Sequence, residues 1–302
     1  MKNILGSICA LATPFRADAL DLAAFGALID YQLAAGTQGL VVAGSTGEAH
    51  ALDQSEFDRL LEFAVERVAG RVPVLAGTGT ANTGKTIHAT RRALKLGADA
   101  ALVVTPYYVR PTQEGLLRHF NAVADEGGLP VVLYNVPSRT GCDMLPETVA
   151  ALALHDGIIG IKEARSDAQR IADVVALRSA RFAILSGDDA TCAQAMLSGA
   201  DGVISVAANV APAALRALCD AARSGDAENA RRLDARLHGL YAALGVEPNP
   251  IPLKWCLHRI GIGTAELRLP LVPLGATHHE RVQRVLDELR LDAVQPRHSS
   301  AA

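Results

Sequence analysis

Aromatic side chains are scarce in this chain: six Phe, five Tyr and one Trp make up 4% of its 302 residues. So few flat rings leave no series of stacking platforms for nucleic-acid bases. An excess of one charge sign is missing too. The 29 Lys and Arg against 32 Asp and Glu leave a net charge of −3, without the basic surplus that tracks a phosphate backbone or an anionic membrane. No apolar run reaches the roughly eighteen residues that a membrane-spanning helix needs. The opening Met1-Lys2-Asn3-Ile4-Leu5-Gly6 is too short and too polar for a secretory signal. The five cysteines (Cys9, Cys142, Cys192, Cys219 and Cys256) are scattered and form no CxxC pair. That excludes a disulfide framework and a thiolate zinc site, and it fits a reducing compartment. The expectation is a soluble cytoplasmic protein.

What the chain does have is rhythm. Short apolar runs recur at residues 7–10, 40–43, 73–76, 101–104, 131–134, 158–161, 183–186 and 202–205, with amphipathic stretches after them. Residues 21–35 place Leu22, Phe25, Leu28, Ile29 and Leu33 on one helical stripe, and Gly36 stops it. Residues 53–69 open on Asp53-x-x-Glu56, the pattern of a capping box. Further helices are predicted at 83–96, 113–124, 146–154, 167–177, 190–197 and 212–222. Eight strands alternating with helices predict a parallel sheet, and eight is the number that closes a barrel. An open doubly wound sheet would need fewer strands and a glycine-rich turn after the first, where this chain has Leu11-Ala12-Thr13-Pro14. The fold expected is therefore α/β, a (β/α)8 TIM barrel over residues 1–224. Three helices, at 226–244, 252–260 and 278–291, make a C-terminal helical domain over 225–292. The polar tail 293–302 is expected to be disordered.

In a barrel of this kind, chemistry collects where strands end. The sixth run ends unusually: Gly157-Ile158-Ile159-Gly160-Ile161-Lys162-Glu163-Ala164 is a buried-strand pattern that delivers a lysine. Burial disfavours an ammonium, so such a lysine can serve as a nucleophilic amine. Alternatively it snorkels to solvent at the strand's end. Gly160 shares its face and is expected to leave room for its stem. After the second run, Gly44-Ser45-Thr46-Gly47-Glu48 offers hydroxyls and amides that suit a small carboxylate, or simply cap the next helix. The fourth run ends in Thr105-Pro106-Tyr107-Tyr108 and the fifth in Tyr134-Asn135-Val136-Pro137-Ser138-Arg139-Thr140-Gly141. These tyrosines either pack or move protons beside a neutral amine, and Arg139 is a planar fork for a carboxylate. Gly79-Thr80-Ala81-Asn82-Thr83-Gly84-Lys85-Thr86 fits the phosphate-loop pattern. The eight-unit layout is wrong for a nucleotide-binding fold, and coincidence is the preferred reading. His50, His88, His119 and His155 share no ligand spacing, so no metal and no cofactor are expected.

Taken together these stretches resemble the dihydrodipicolinate synthase family of pyruvate-dependent, lysine-Schiff-base aldolases. The resemblance runs from Ala12-Thr13-Pro14-Phe15 to Leu267-Arg268-Leu269-Pro270. It also takes in Gly202-Val203-Ile204-Ser205-Val206 and Glu247-Pro248-Asn249-Pro250-Ile251-Pro252. It implies condensation of pyruvate with L-aspartate 4-semialdehyde in lysine and diaminopimelate biosynthesis. Lys162 would form the imine and Tyr134 would move protons. Ser45 and Tyr108 would extend a relay, Tyr108 coming from a neighbouring subunit. Thr46 and the Ile204 carbonyl would line the pyruvate pocket, and Arg139 would take the second substrate's carboxylate. The resemblance thus implies a homo-oligomer, at least a dimer and commonly a tetramer built as a dimer of dimers. Ser45 stands where the family usually has threonine. At the positions of the family's L-lysine site this chain has His50, Gln54, Phe57, Ala81 and Lys85; the Lys85 cation implies weak or absent lysine inhibition. A sister lyase acting on N-acetylneuraminate shares the first loop's form, but Arg139 argues against it. A keto-acid sensor without turnover is the non-enzymatic alternative.

Overall fold

The computed structural model describes residues 4–289. All eight apolar runs are strands: Gly6–Ala10, Gly39–Val42, Val74–Gly77, Ala100–Val104, Val131–Asn135, Ile158–Glu163, Ala183–Ser186 and Gly202–Ser205. They pair in parallel in chain order, and the eighth pairs with the first (Ile8 opposite Ile204) to close the barrel. Their near-continuous hydrophobicity follows from burial on both faces. On the fifth strand Val132 and Tyr134 point into the barrel with Ile8, Val41, Leu75, Leu102, Leu185 and Ile204. Val131 and Leu133 point the other way, into the layer under the helices.

The helices start where their caps place them. Asp21 accepts from the amide of Ala24 ahead of Leu22–Ala34. The Asp53/Glu56 capping box forms in full before Gln54–Val68. Asn82 caps Thr83–Lys95 and Thr112 caps Gln113–Gly127. Each such cap stabilises by about 1 kcal/mol. The series continues with Pro146–Leu152, Ala168–Val175, Cys192–Leu197 and Pro212–Arg223. Among the described residues no helix is long and apolar enough to cross a membrane.

The C-terminal segment departs from expectation. Residues 226–244 are not one helix but two, Ala227–Ala235 and His238–Leu244, followed by Ile251–Arg259 and His279–Leu289. At the break the Leu237 amide donates to the Asp234 carbonyl at 2.8 Å, a tightened i→i−3 turn. Neither glycine nor proline stands at Arg236-Leu237 to announce it. The expected end of the last helix at 291 and the tail 293–302 lie outside the described residues. Two small features were also absent from the sequence pattern. Phe15–Arg16 and Ala19–Leu20 form a hairpin whose turn residues, Ala17 and Asp18, are left-handed. Pro137–Thr140 makes one helical turn. The helix Ile251–Arg259 joins the same hydrophobic core as the barrel through Leu253, Trp255, Cys256 and Leu257.

Buried among these helices is His119, 4% exposed, with Nδ1 3.0 Å from Thr83 Oγ1 and Nε2 without a partner. Burial lowers its pKa from 6.5 to about 4. The unfolded chain takes up this proton first, so the group's contribution is complete above pH 6.5 and is lost as pH falls toward 4. The gap between the two values is worth roughly 3 kcal/mol. Urea titrations of the wild type and His119→Gln should therefore show the wild type losing about that much more stability between pH 7 and 4. Parallel losses in both proteins would contradict the assignment.

Candidate active site

Because all eight strands run the same way, their C-terminal ends share one rim of the barrel. Lys162 reaches this rim from the sixth strand, on the inward parity, and is 5% exposed. Its register partner on the fifth strand is Tyr134, itself buried. Lys162 Nζ lies 4.4 Å from the centroid of the Tyr134 ring. Among the described residues no carboxylate pairs with it.

The glycine that makes room for Lys162 is not the one expected. A Cβ on Gly160 would strike the Ala183 carbonyl oxygen at 2.6 Å, so Gly160 serves the close approach of the sixth and seventh strands. A Cβ on Gly187, just past the seventh strand, would stand 3.0 Å from both Cγ and Cε of Lys162. Gly187 is the residue that leaves the lysine stem its space.

Behind this wall, Glu163 faces outward and is buried. It accepts from Asn135 Nδ2 at 3.1 Å, the Arg165 amide at 2.8 Å and Arg170 Nη1 at 3.3 Å. Arg170 and Arg165 both reach Asp143, at 2.7 and 2.8 Å. Burial raises the Glu163 carboxyl above its ordinary pKa, and the donors from Arg165 and Asn135 oppose that rise. The network bolts the fifth strand to the sixth, one residue beyond the Tyr134–Lys162 pair.

The loop after the second strand carries Ser45, half-buried, and Thr46, 3% exposed. Asn249 Nδ2 donates to Thr46 Oγ1 at 3.0 Å, and Arg139 Nη2 donates to the Asn249 carbonyl at 3.0 Å. Asn249 Oδ1 is buried and unpartnered. One residue outside the barrel strands, Asn249, thus joins the two expected carboxylate-binding residues, Thr46 through its side chain and Arg139 through its backbone carbonyl. No role was assigned to Asn249 from sequence, although Glu247-Pro248-Asn249-Pro250 was part of the resemblance. Arg139 itself is exposed on the turn Pro137–Thr140. Ile204 is buried in the inner cluster of the barrel.

Tyr108 stands apart from Lys162 and Tyr134. It is 90% exposed and holds a left-handed backbone, φ 71, with its amide donating to the Thr140 carbonyl at 3.3 Å. Tyr107 and Val109 beside it are also exposed.

The phosphate-loop pattern is closed on itself. The Thr80 amide donates to Thr86 Oγ1 at 3.0 Å, Asn82 Oδ1 takes the Lys85 amide at 3.0 Å, and the Lys85 side chain points into solvent. Amides already paired in this way are not presented to a phosphate.

Comparison with known proteins agrees with this fold. Residues 3–289 match the model of the dihydrodipicolinate synthetase family. A 4-hydroxy-tetrahydrodipicolinate synthase of Xanthomonas campestris pv. campestris is 59% identical over 302 residues, covering 99% of this chain and all of the relative. The crystal structure of the chloride-inhibited dihydrodipicolinate synthase of Acinetobacter baumannii, complexed with pyruvate, superposes with a TM-score of 0.93 at 41% identity, covering 95% and 99% of the two chains. A monomeric dihydrodipicolinate synthase variant superposes equally well, TM-score 0.93 at 42% identity over 94% and 96%. The chain belongs to the dihydrodipicolinate synthetase family.

Gly187→Ala fills the space between the lysine stem and Ala164, whose Cβ would also lie 3.0 Å from the added methyl. The added methyl presses on Lys162 Cγ, which lies too near the backbone to swing clear. Turnover should fall at least about tenfold, roughly 1.4 kcal/mol of barrel-rim distortion expressed in the barrier, while the melting temperature stays within a few degrees. Wild-type turnover in a folded Gly187→Ala protein would remove Gly187 from the site.

Proposed function

We propose that the 4-hydroxy-tetrahydrodipicolinate synthase activity of this family runs, in this chain, through an imine on Lys162. The enzyme joins pyruvate to L-aspartate 4-semialdehyde in lysine and diaminopimelate biosynthesis. One observation carries the reading: a buried, inward-facing lysine with no carboxylate partner among the described residues, lying against the ring of a tyrosine fixed in register with it.

The ε-amine of Lys162 adds to the ketone of pyruvate and water leaves, giving the imine. Loss of a methyl proton gives the enamine, whose carbon attacks the aldehyde. The second substrate's amine then closes on the imine carbon, and Lys162 leaves as the free amine. Tyr134, in contact with the lysine, is the proton donor and acceptor for these steps. Thr46 receives the pyruvate carboxylate by hydroxyl and amide. The Asn249 amide occupies a lone pair of Thr46 Oγ1, so the hydroxyl proton is free to point at that carboxylate. The Ile204 carbonyl lines the opposite side. Arg139, exposed at the mouth and steadied by the Asn249 carbonyl, takes the carboxylate of the semialdehyde.

Ser45 and Tyr108 extend the relay toward solvent. Within one chain Tyr108 is 90% exposed, which supports its being lent to a neighbouring subunit. The working form is then at least a dimer, and a tetramer made of two dimers is the fuller proposal. No cofactor takes part, and the enzyme works in the cytoplasm without membrane or nucleic-acid partners. At the expected lysine site the exposed Lys85 cation repels free L-lysine.

A single coupled assay tests these assignments. Arg139→Ala should raise KM for the semialdehyde at least about tenfold, the loss of one charge-assisted, bidentate contact, with KM for pyruvate nearly unchanged. Millimolar L-lysine added to the wild type should leave most of the rate. Equal rises in both KM values would reassign Arg139, and strong lysine inhibition would reassign Lys85.

A further inference from the structure

The loop 44–48 is bracketed by two non-glycine residues in the left-handed region, Ala43 at φ 53 and Glu48 at φ 51. Such backbone persists only where its surroundings impose it. At Glu48 they do. Its side chain is fully buried and accepts from the Lys254 ammonium and, at 3.2 Å, from the Arg268 amide. Lys254 is 1% exposed and comes from the middle of the helix Ile251–Arg259. Its Nζ lies 4.2 Å from the centroid of Phe15, and the Arg268 guanidinium stands 4.3 Å from the same ring. Arg268 in turn holds Glu56 at 2.6 Å and Asp18 at 3.0 Å. On the other side of the loop, Thr13 Oγ1 donates to the Gly47 carbonyl at 2.7 Å.

The reaction makes no use of either charge. As a source of stability alone the pair is a poor choice, since removing two charges from water offsets most of their attraction and an apolar pair of the same volume does as well. What an ion pair has, and an apolar pair lacks, is direction. Burial pulls Lys254 below the ordinary lysine pKa, and the Glu48 carboxylate opposes that fall.

We propose that the Glu48–Lys254 ion pair is a positioning device for the substrate loop. It locks the left-handed turn at Glu48, two residues past Thr46, and so sets the hydroxyl and amide of Thr46 for the keto-acid carboxylate. The helix Ile251–Arg259 is thereby a working part of the site. Neither residue touches the reacting atoms. The inference rests on the reading that Thr46 binds the pyruvate carboxylate.

The test compares three variants of the full chain. In Glu48→Gln/Lys254→Met both charges go while shape and the acceptor for the Arg268 amide remain. Its melting temperature should stay within about 5 °C of the wild type, KM for pyruvate should rise at least tenfold, and KM for the semialdehyde should change less than twofold. Glu48→Gln alone, which keeps an oxygen acceptor for the Lys254 ammonium, should raise pyruvate KM at least threefold, and it carries the test if the double variant does not fold. Thr46→Val separates this inference from the reading beneath it. If Thr46→Val raises pyruvate KM and the charge variants leave it at the wild-type value, the positioning role is wrong. If Thr46→Val itself leaves pyruvate KM unchanged, the carboxylate assignment fails first.

Discussion

The register between the fifth and sixth strands sets everything that happens at the rim. Tyr134 lies opposite Lys162 because Val132 pairs with Gly160, after an irregularity between Val131 and Val132 that shifts the fifth strand by one residue against the sixth. A slip of one residue would turn Lys162 out under the helices and Glu163 into the barrel. The buried network on Glu163 resists that slip. Asn135, Asp143, Arg165 and Arg170 complete its hydrogen bonds only in the observed register. The inward lysine on one side of the strand and the ionic fastening on the other are consequences of the same alternation.

The helices after the barrel supply the other half of the constraint. Asn249 reaches Thr46 and Arg139, and Lys254 reaches Glu48, all from one stretch of fewer than ten residues. The barrel strands position the Lys162 amine, while this stretch reaches Thr46 and Arg139, the residues proposed to hold the substrate carboxylates. That division explains why Ile251–Arg259 is buried along nearly its whole length although it lies outside the barrel. It also explains why both residues carry polar groups into an interior where apolar ones pack more easily.

Much of this is legible in the sequence. The eight strands could be read because parallel strands buried on both faces must be apolar throughout. Lys162, Tyr134, Thr46 and Arg139 stand out in the sequence because chemistry-bearing side chains follow strand ends, and the structure sets Lys162 against Tyr134 and ties Thr46 and Arg139 to Asn249. Other features left no such mark. The split at Leu237 has no helix breaker, and the hairpin at Phe15 is only two residues per strand. Gly160 was credited with the space that Gly187 provides, since sequence shows which residues share a strand face but not which neighbouring loop folds over it. Glu48–Lys254 and Thr46–Asn249 join positions 206 and 203 residues apart. Pairings at that separation have no local period to betray them.

The most direct measurement is borohydride reduction of the protein in the presence of pyruvate, followed by peptide mass mapping. Reduction of the imine should leave a lactyl-sized addition on the peptide bearing Lys162 and none on the same peptide when pyruvate is omitted. An unmodified Lys162, or an adduct on another lysine such as Lys85 or Lys254, would contradict the account at its centre.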